Sequence, residues 1–162
     1  MDFYILPGKI ATLFIGVTMN LIINFQEPIE LSGARENLLN VREVNKGKTF
    51  LIMPKTKSID TNLIFYNNKN KYMFYIKYDE SKFHDFVNIF EGRRDSSFLL
   101  SKENNNYRIL SGNKSVLVEN KSSRPIMVNG EVVKTREVFS KGIPLFIKVE
   151  GIEEVLDSRR EL

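Results

Sequence analysis

Several stretches of the chain alternate between apolar and polar residues, which is typical of strands that place one face in a core. In residues 17–25 every odd-numbered position is apolar, and in residues 71–78 every even-numbered position is aliphatic or aromatic. A helix facing a core would instead show an apolar period near 3.6. The alternation therefore predicts an all-β protein.

Short apolar runs separated by turn residues extend this pattern along the chain. They predict further strands at residues 10–15, 29–31, 38–41, 50–53, 62–66, 97–101, 107–110, 115–119, 124–128, 131–133 and 145–150. Asn67–Asn70 and Asn129–Gly130 are the clearest hairpin turns, because these residue types tolerate the positive φ that tight turns require. Such spacing favours small β-sandwiches or partly open barrels.

One segment follows a helical period instead. Its apolar stripe, with the spacing of a short amphipathic helix, consists of Phe83, Phe86, Val87 and Phe90. Gly92 follows the stripe and would end the helix. The sequence therefore predicts a short helix in this segment.

These patterns predict two small β-domains. Residues 1–80 would form the first domain and residues 96–152 the second, joined by a helical connector at residues 81–95. The charged residues 153–162 are expected to be a polar tail.

The composition argues against several kinds of chemistry. The sequence has no cysteine and one histidine, His84, so thiol catalysis and the usual zinc ligand sets are excluded. We expect His84 to be a solvated residue of the predicted helix. The carboxylate pairs fit no frame for glycoside or metal chemistry; they are Glu27/Glu30, Asp79/Glu80 and Glu153/Glu154. We expect a non-enzymatic protein with no catalytic residue, cofactor or metal.

The net charge of +4 comes from 24 basic and 20 acidic residues, and the lysines are scattered through the turns. Nucleic-acid-binding domains usually concentrate basic residues in one stripe, so no nucleic acid is expected as a partner. Lys71–Tyr78 nevertheless partly follows the basic and aromatic strand of an RNA-recognition sheet. That less favoured alternative predicts that Tyr72, Tyr75 and Tyr78 are exposed on one surface.

Three segments also resemble a known pattern. Phe50–Lys55 is an apolar strand that ends in Pro-Lys, Asp60–Phe65 contains a Thr-Asn-Leu step, and Lys71–Ile76 contains Tyr-x-Phe. With residues 4–8 and 17–29, they resemble the N-terminal β-domain of the TraK/TrbG/CagX-like outer-membrane core subunits of type IV secretion (conjugation) systems.

This resemblance covers about residues 3–80. It implies a periplasmic assembly subunit, associated with the outer membrane through its partners. Those partners would be a small lipoprotein, a channel-forming subunit and other copies of the chain in a ring.

Strand edges suit such a scaffold, since they recruit partner strands through main-chain hydrogen bonds. Ser115–Glu119 and Ile126–Val128 are candidate edges, although both segments also fit interior strands. No individual contact residue is predicted. The alternative function is a stand-alone ligand-binding or adhesin-like β-sandwich, which predicts a pocket or groove with a few converging polar groups.

Overall fold

The computed structural model describes residues 1–35 and 37–157. Within these ranges the chain forms seventeen strands and one 3-10 turn, Asn45–Gly47, and it contains no α-helix. The all-β prediction is therefore confirmed. The strands are β1 Asp2–Ile5, β2 Ile10–Ile15, β3 Leu21–Phe25, β4 Glu30–Leu31, β5 Leu39–Val44, β6 Thr49–Pro54, β7 Asp60–Tyr66, β8 Lys71–Tyr78, β9 Phe86–Glu91, β10 Leu99–Glu103, β11 Tyr107–Ser111, β12 Val116–Asn120, β13 Ile126–Val128, β14 Glu131–Val133, β15 Arg136–Phe139, β16 Leu145–Val149 and β17 Ile152–Leu156.

The first nine strands form two sheets that pack as a sandwich. The strand order is β1-β9-β3-β6-β5 in sheet 1 and β2-β8-β7-β4 in sheet 2. Phe25 and Phe50 of sheet 1 pack against Phe65 of sheet 2, with ring centroids 4.9 and 4.8 Å from it. The alternation in the sequence sets this packing, since alternate side chains of a strand face the opposite sheet.

The remaining strands form a second, antiparallel sandwich. Sheet 3 has the order β10-β11-β12-β15, and sheet 4 has the order β14-β13-β16-β17. The predicted Asn129–Gly130 turn joins β13 to β14, and both of its residues have positive φ, at 49° and 79°.

The two sandwiches are joined directly. Tyr4 of β1 exchanges backbone hydrogen bonds of 2.9 and 3.0 Å with Lys141. The Leu6 amide donates to Ser140 Oγ at 2.8 Å, and Phe14 lies 6.0 Å from Phe146 between ring centroids. Buried side chains of both sandwiches belong to one hydrophobic cluster, so the second sandwich is held in a fixed place beside the first.

The predicted helical connector is wrong. Phe86–Glu91 is β9, which pairs in parallel with β1 on one side and with β3 on the other. Val87 and Ile89 are 0% and 1% exposed. A short helix is marginal on its own, whereas this central strand satisfies backbone groups on both sides and buries two aliphatic side chains.

Three other expectations are corrected. The strand predicted over residues 17–25 begins only at Leu21, because residues 17–20 form the turn after β2. Residues 153–156, expected in a polar tail, lie in β17 and pair with β16; residues 158–162 lie outside the described residues. The two candidate edges are interior, since β12 lies between β11 and β15 and β13 between β14 and β16.

Candidate functional site

The outer face of sheet 2 carries apolar side chains where solvent would favour polar ones. Ile10, Met73 and Ile64 lie side by side across three strands, in direct register. Ile10 is 52% exposed, and Met73 and Ile64 are half-buried. An apolar row on an outward face is a common mark of an interaction surface.

The neighbouring row mixes an aromatic ring with polar groups. Tyr75 lies between Thr12 and Asn62 across the three strands, and its hydroxyl contacts the Asp60 carboxylate. Lys77 follows on the same side of β8, two residues along. We call these two rows together with Lys77 the cleft face.

The second sandwich forms a wall beside the cleft face. Residues of both sandwiches enclose a cleft of about 340 Å³. From the first sandwich it is lined by Ile10, Thr12, Asn62, Tyr75 and Lys77, and from the second by Asn129, Gly130, Phe146 and Glu153. The surface is therefore concave, with an apolar and aromatic floor and polar groups of both charges at its borders.

Local hydrogen bonds fix the wall. The Phe146 amide donates to Asn129 Oδ1 at 2.8 Å, and the Asn129 amide donates to the Phe146 carbonyl at 3.0 Å. Lys9, just before β2, forms an ion pair of 2.6 Å with Glu131 of the β14 strand. These contacts hold the Asn129–Gly130 turn over the sheet, so the cleft is formed before any ligand binds.

Tyr66 extends the exposed aromatic surface at one end of sheet 2. It is 42% exposed, and its hydroxyl donates a hydrogen bond to the Glu30 carboxylate. This hydrogen bond and the negative charge of Glu30, which disfavours the phenolate, raise the pKa of the Tyr66 hydroxyl. Tyr66 therefore offers a neutral aromatic ring to a partner, while its hydroxyl donor is engaged by Glu30.

The prediction that His84 is a solvated helix residue is wrong. His84 is 2% exposed, and its Nδ1 accepts a hydrogen bond of 2.8 Å from the Phe14 amide. The His84 amide donates in turn to the Phe14 carbonyl at 2.9 Å, and the two rings stack at 5.7 Å. His84 thus caps the outer edge of β2 and supports the interface with Phe146.

The carboxylate pairs are separated by the fold into different contacts. Glu80 accepts the Val17 amide at 2.9 Å, and Asp79 accepts the Ser81 amide at 3.0 Å. Glu154 accepts the Tyr107 hydroxyl at 2.7 Å. Among the described residues, no group of three or more histidine, aspartate or glutamate side chains is placed to hold a metal ion.

The three tyrosines of the nucleic-acid alternative do not share a surface. Tyr72 is 8% exposed and belongs to the core, and Tyr78 packs against the core from the same side. Only Tyr75 faces the cleft. A run of stacked bases needs several exposed rings, so this sheet lacks the expected platform.

Sequence reasoning missed the cleft face. The sequence did contain one indication of this surface, in Lys71–Tyr78. Its even-numbered residues predict a core face, but Met73 and Tyr75 place further apolar and aromatic side chains on the opposite, outward face. The wall could not be found in this way, because Phe146 and Asn129 lie far along the chain from β2 and β8.

In comparisons with known proteins, no family model and no curated protein matches the chain. Within the described ranges, the structure has no helix with the length and apolar character needed to cross a membrane.

Proposed function

We propose that this protein is a non-enzymatic assembly subunit that binds another protein across the cleft face. The observation that carries this proposal is the outward row of Ile10, Met73 and Ile64, which lies beside a wall already fixed by hydrogen bonds. A preformed concave surface with an apolar floor loses little conformational entropy on binding. Protein interfaces commonly combine such an apolar centre with a polar rim.

A more specific part of the proposal concerns the complex to which this subunit belongs. The resemblance of residues 3–80 to type IV secretion subunits supports a role in a bacterial cell-envelope secretion or conjugation complex. Its partners there would be a lipoprotein and a channel-forming subunit, together with copies of the chain itself in a ring. A periplasmic location at the outer membrane belongs to this same proposal.

A stand-alone ligand-binding β-sandwich is the second candidate. The observation in its favour is the cleft itself, at about 340 Å³ with polar groups from both sandwiches. A small ligand would contact Tyr75 and Asn129 together, whereas a protein partner would also cover Met73 and Ile64. The two functions therefore differ in how far the bound surface extends along sheet 2.

The test is a paired capture experiment from the native envelope, read by mass spectrometry. The baits are the unchanged protein, Ile10→Lys on the cleft face, and Leu99→Lys as the matched control on β10. Leu99 is 79% exposed, so both lysines remain solvated and neither substitution disturbs the core.

We expect the unchanged protein and Leu99→Lys to capture the same partner proteins, and Ile10→Lys to lose them. The affinity of the purified partner for Ile10→Lys should fall about tenfold or more, because the interface would bury the lysine charge. Equal capture by all three baits would refute the cleft-face proposal. If the captured partners include no envelope lipoprotein or channel subunit, only the proposed role in a secretion or conjugation complex would be refuted. Captured nucleic acid that salt releases would favour the alternative in which the sheet binds nucleic acid.

A further inference from the structure

A second cavity lies at one end of the first sandwich, away from the cleft face. It has a volume of about 170 Å³, room for several water molecules. Its floor consists of the buried side chains of Phe25, Ile29 and Ile89. We call this cavity the end pocket.

Two carboxylates, Glu27 and Glu91, lie at the rim of the end pocket. The Asn70 side-chain amide donates to Glu91, and Lys69 lies 3.2 Å from Glu27. The Lys69 side chain is 68% exposed, so its ion pair with Glu27 is weak and leaves the carboxylate available.

The β7–β8 turn that carries these neighbours is well ordered by its own contacts. Asn67 Oδ1 accepts the amides of Lys69 and Asn70 at 2.9 and 2.8 Å. Asn67 also donates to the Pro28 carbonyl at 3.3 Å. The rim is therefore held in place from both sides, which is what a preformed binding site requires.

The Tyr72 hydroxyl supplies an independent sign of a ligand. Tyr72 is 8% exposed and lines the pocket. Its hydroxyl forms no hydrogen bond with a residue that the structure describes, and it is not among the fully buried polar atoms, so it is open to the pocket. Burial, then the charges of Glu91 and Glu27, raise the Tyr72 pKa to about 12. The hydroxyl is thus neutral at pH 7, and its oxygen is available to accept a hydrogen bond.

We infer that the end pocket binds a primary alkylammonium group, from a lysine side chain of a partner protein or from a small amine. An ammonium has three donors, and the pocket offers three acceptors in Glu27, Glu91 and Tyr72. The alkyl stem would lie on the floor beside Phe25, whose ring centroid is 5.6 Å from that of Tyr72. Aromatic faces and apolar walls favour an alkylammonium over a hydrated metal ion.

The test is an NMR titration of the ¹⁵N-labelled protein at pH 7 with three probes. These are n-butylammonium chloride, Nα-acetyl-lysine methylamide, and Nα-acetyl-norleucine methylamide as the uncharged control. We expect the two ammonium probes to shift the amide signals of residues 27, 70 and 91, and the norleucine probe to leave them in place. Binding of butylammonium alone would assign free amines as the source, and binding of both would include protein side chains.

Substitutions decide whether the named residues hold the ammonium. Glu91→Gln keeps an acceptor for Asn70 and removes the charge, so we expect affinity to fall about tenfold. Tyr72→Phe should weaken binding about fivefold, while Glu119→Gln on the second sandwich should change nothing. Equal binding of the norleucine probe, or unchanged affinity in Glu91→Gln, would overturn the inference.

Discussion

Replacing Gly142 with alanine should loosen the interface between the two sandwiches. Gly142 has φ of +91°, and a Cβ built there would lie 2.2 Å from the Asp2 carbonyl oxygen. The left-handed backbone alone costs alanine about 1–2 kcal/mol. The close approach to backbone adds about 1–3 kcal/mol, because β1 must shift to make room. We expect a total loss of unfolding free energy of about 2–5 kcal/mol.

Gly151 provides the matched control for this prediction. Its φ is +82°, and nothing lies within 4 Å of a Cβ placed on it. Gly151→Ala should therefore lose only the conformational part, about 1–2 kcal/mol. Urea denaturation of both variants gives the difference, and hydrogen exchange at the Tyr4 and Lys141 amides reports on the interface. Equal losses in the two variants, with unchanged exchange, would refute the close-approach reasoning.

The remaining predictions concern one buried hydrogen bond and one partly buried hydrogen bond. His84→Phe removes the acceptor of the Phe14 amide, so unfolding free energy should fall by about 1–3 kcal/mol in urea denaturation; a loss below about 0.5 kcal/mol would contradict this role. Tyr107→Phe should raise the pKa of Glu154, because hydrogen bonds from Tyr107 and Lys102 hold that pKa below its usual value. The stability that Glu154 contributes is present above its unfolded pKa, about 4.3, and is lost as the pH falls through the lowered folded pKa. Carboxyl NMR should show a higher Glu154 pKa in the variant, and urea denaturation should show a smaller loss of unfolding free energy on acidification. An unchanged Glu154 titration would count against this role of Tyr107.

The strands of sheet 2 were predictable because local alternation and packing agree. In Lys71–Tyr78 the even-numbered residues are apolar in the sequence, and they face the core in the structure. The Asn129–Gly130 hairpin was equally predictable, because few residue types adopt the positive φ that both positions of this two-residue turn require. Both features depend on neighbours within a few positions.

Strand β9 was not predictable from its own residues. Its sequence fits a helical stripe through Phe86 and Phe90 and also a strand alternation through Val87 and Ile89. The choice depends on β1 and β3, which lie more than sixty positions earlier. Strand pairing of this kind outweighs the local helical pattern when the strand forms backbone hydrogen bonds with a neighbour on each side.

The candidate site was less predictable than the fold. The apolar outer row was present in the sequence as Ile10, Ile64 and Met73, but only the register of three strands brings these residues together. In the sequence Glu27 pairs with Glu30, whereas the fold places Glu27 at the same rim of the end pocket as Glu91. Sequence neighbours and spatial neighbours differ most where loops meet.

The parallel pairing of β1 with β9 and of β2 with β8 also dictates when this chain can fold during synthesis. The first two strands leave the ribosome before their partners exist, and β1 completes its contacts only after Lys141 has been made. Such distant pairing slows folding and leaves early strands exposed to wrong partners. A fragment cut at residue 80 would lack the strand that lies between β1 and β3, so β1 could not join the sheet. We expect that the shortest fragment able to close sheet 1 extends through Glu91.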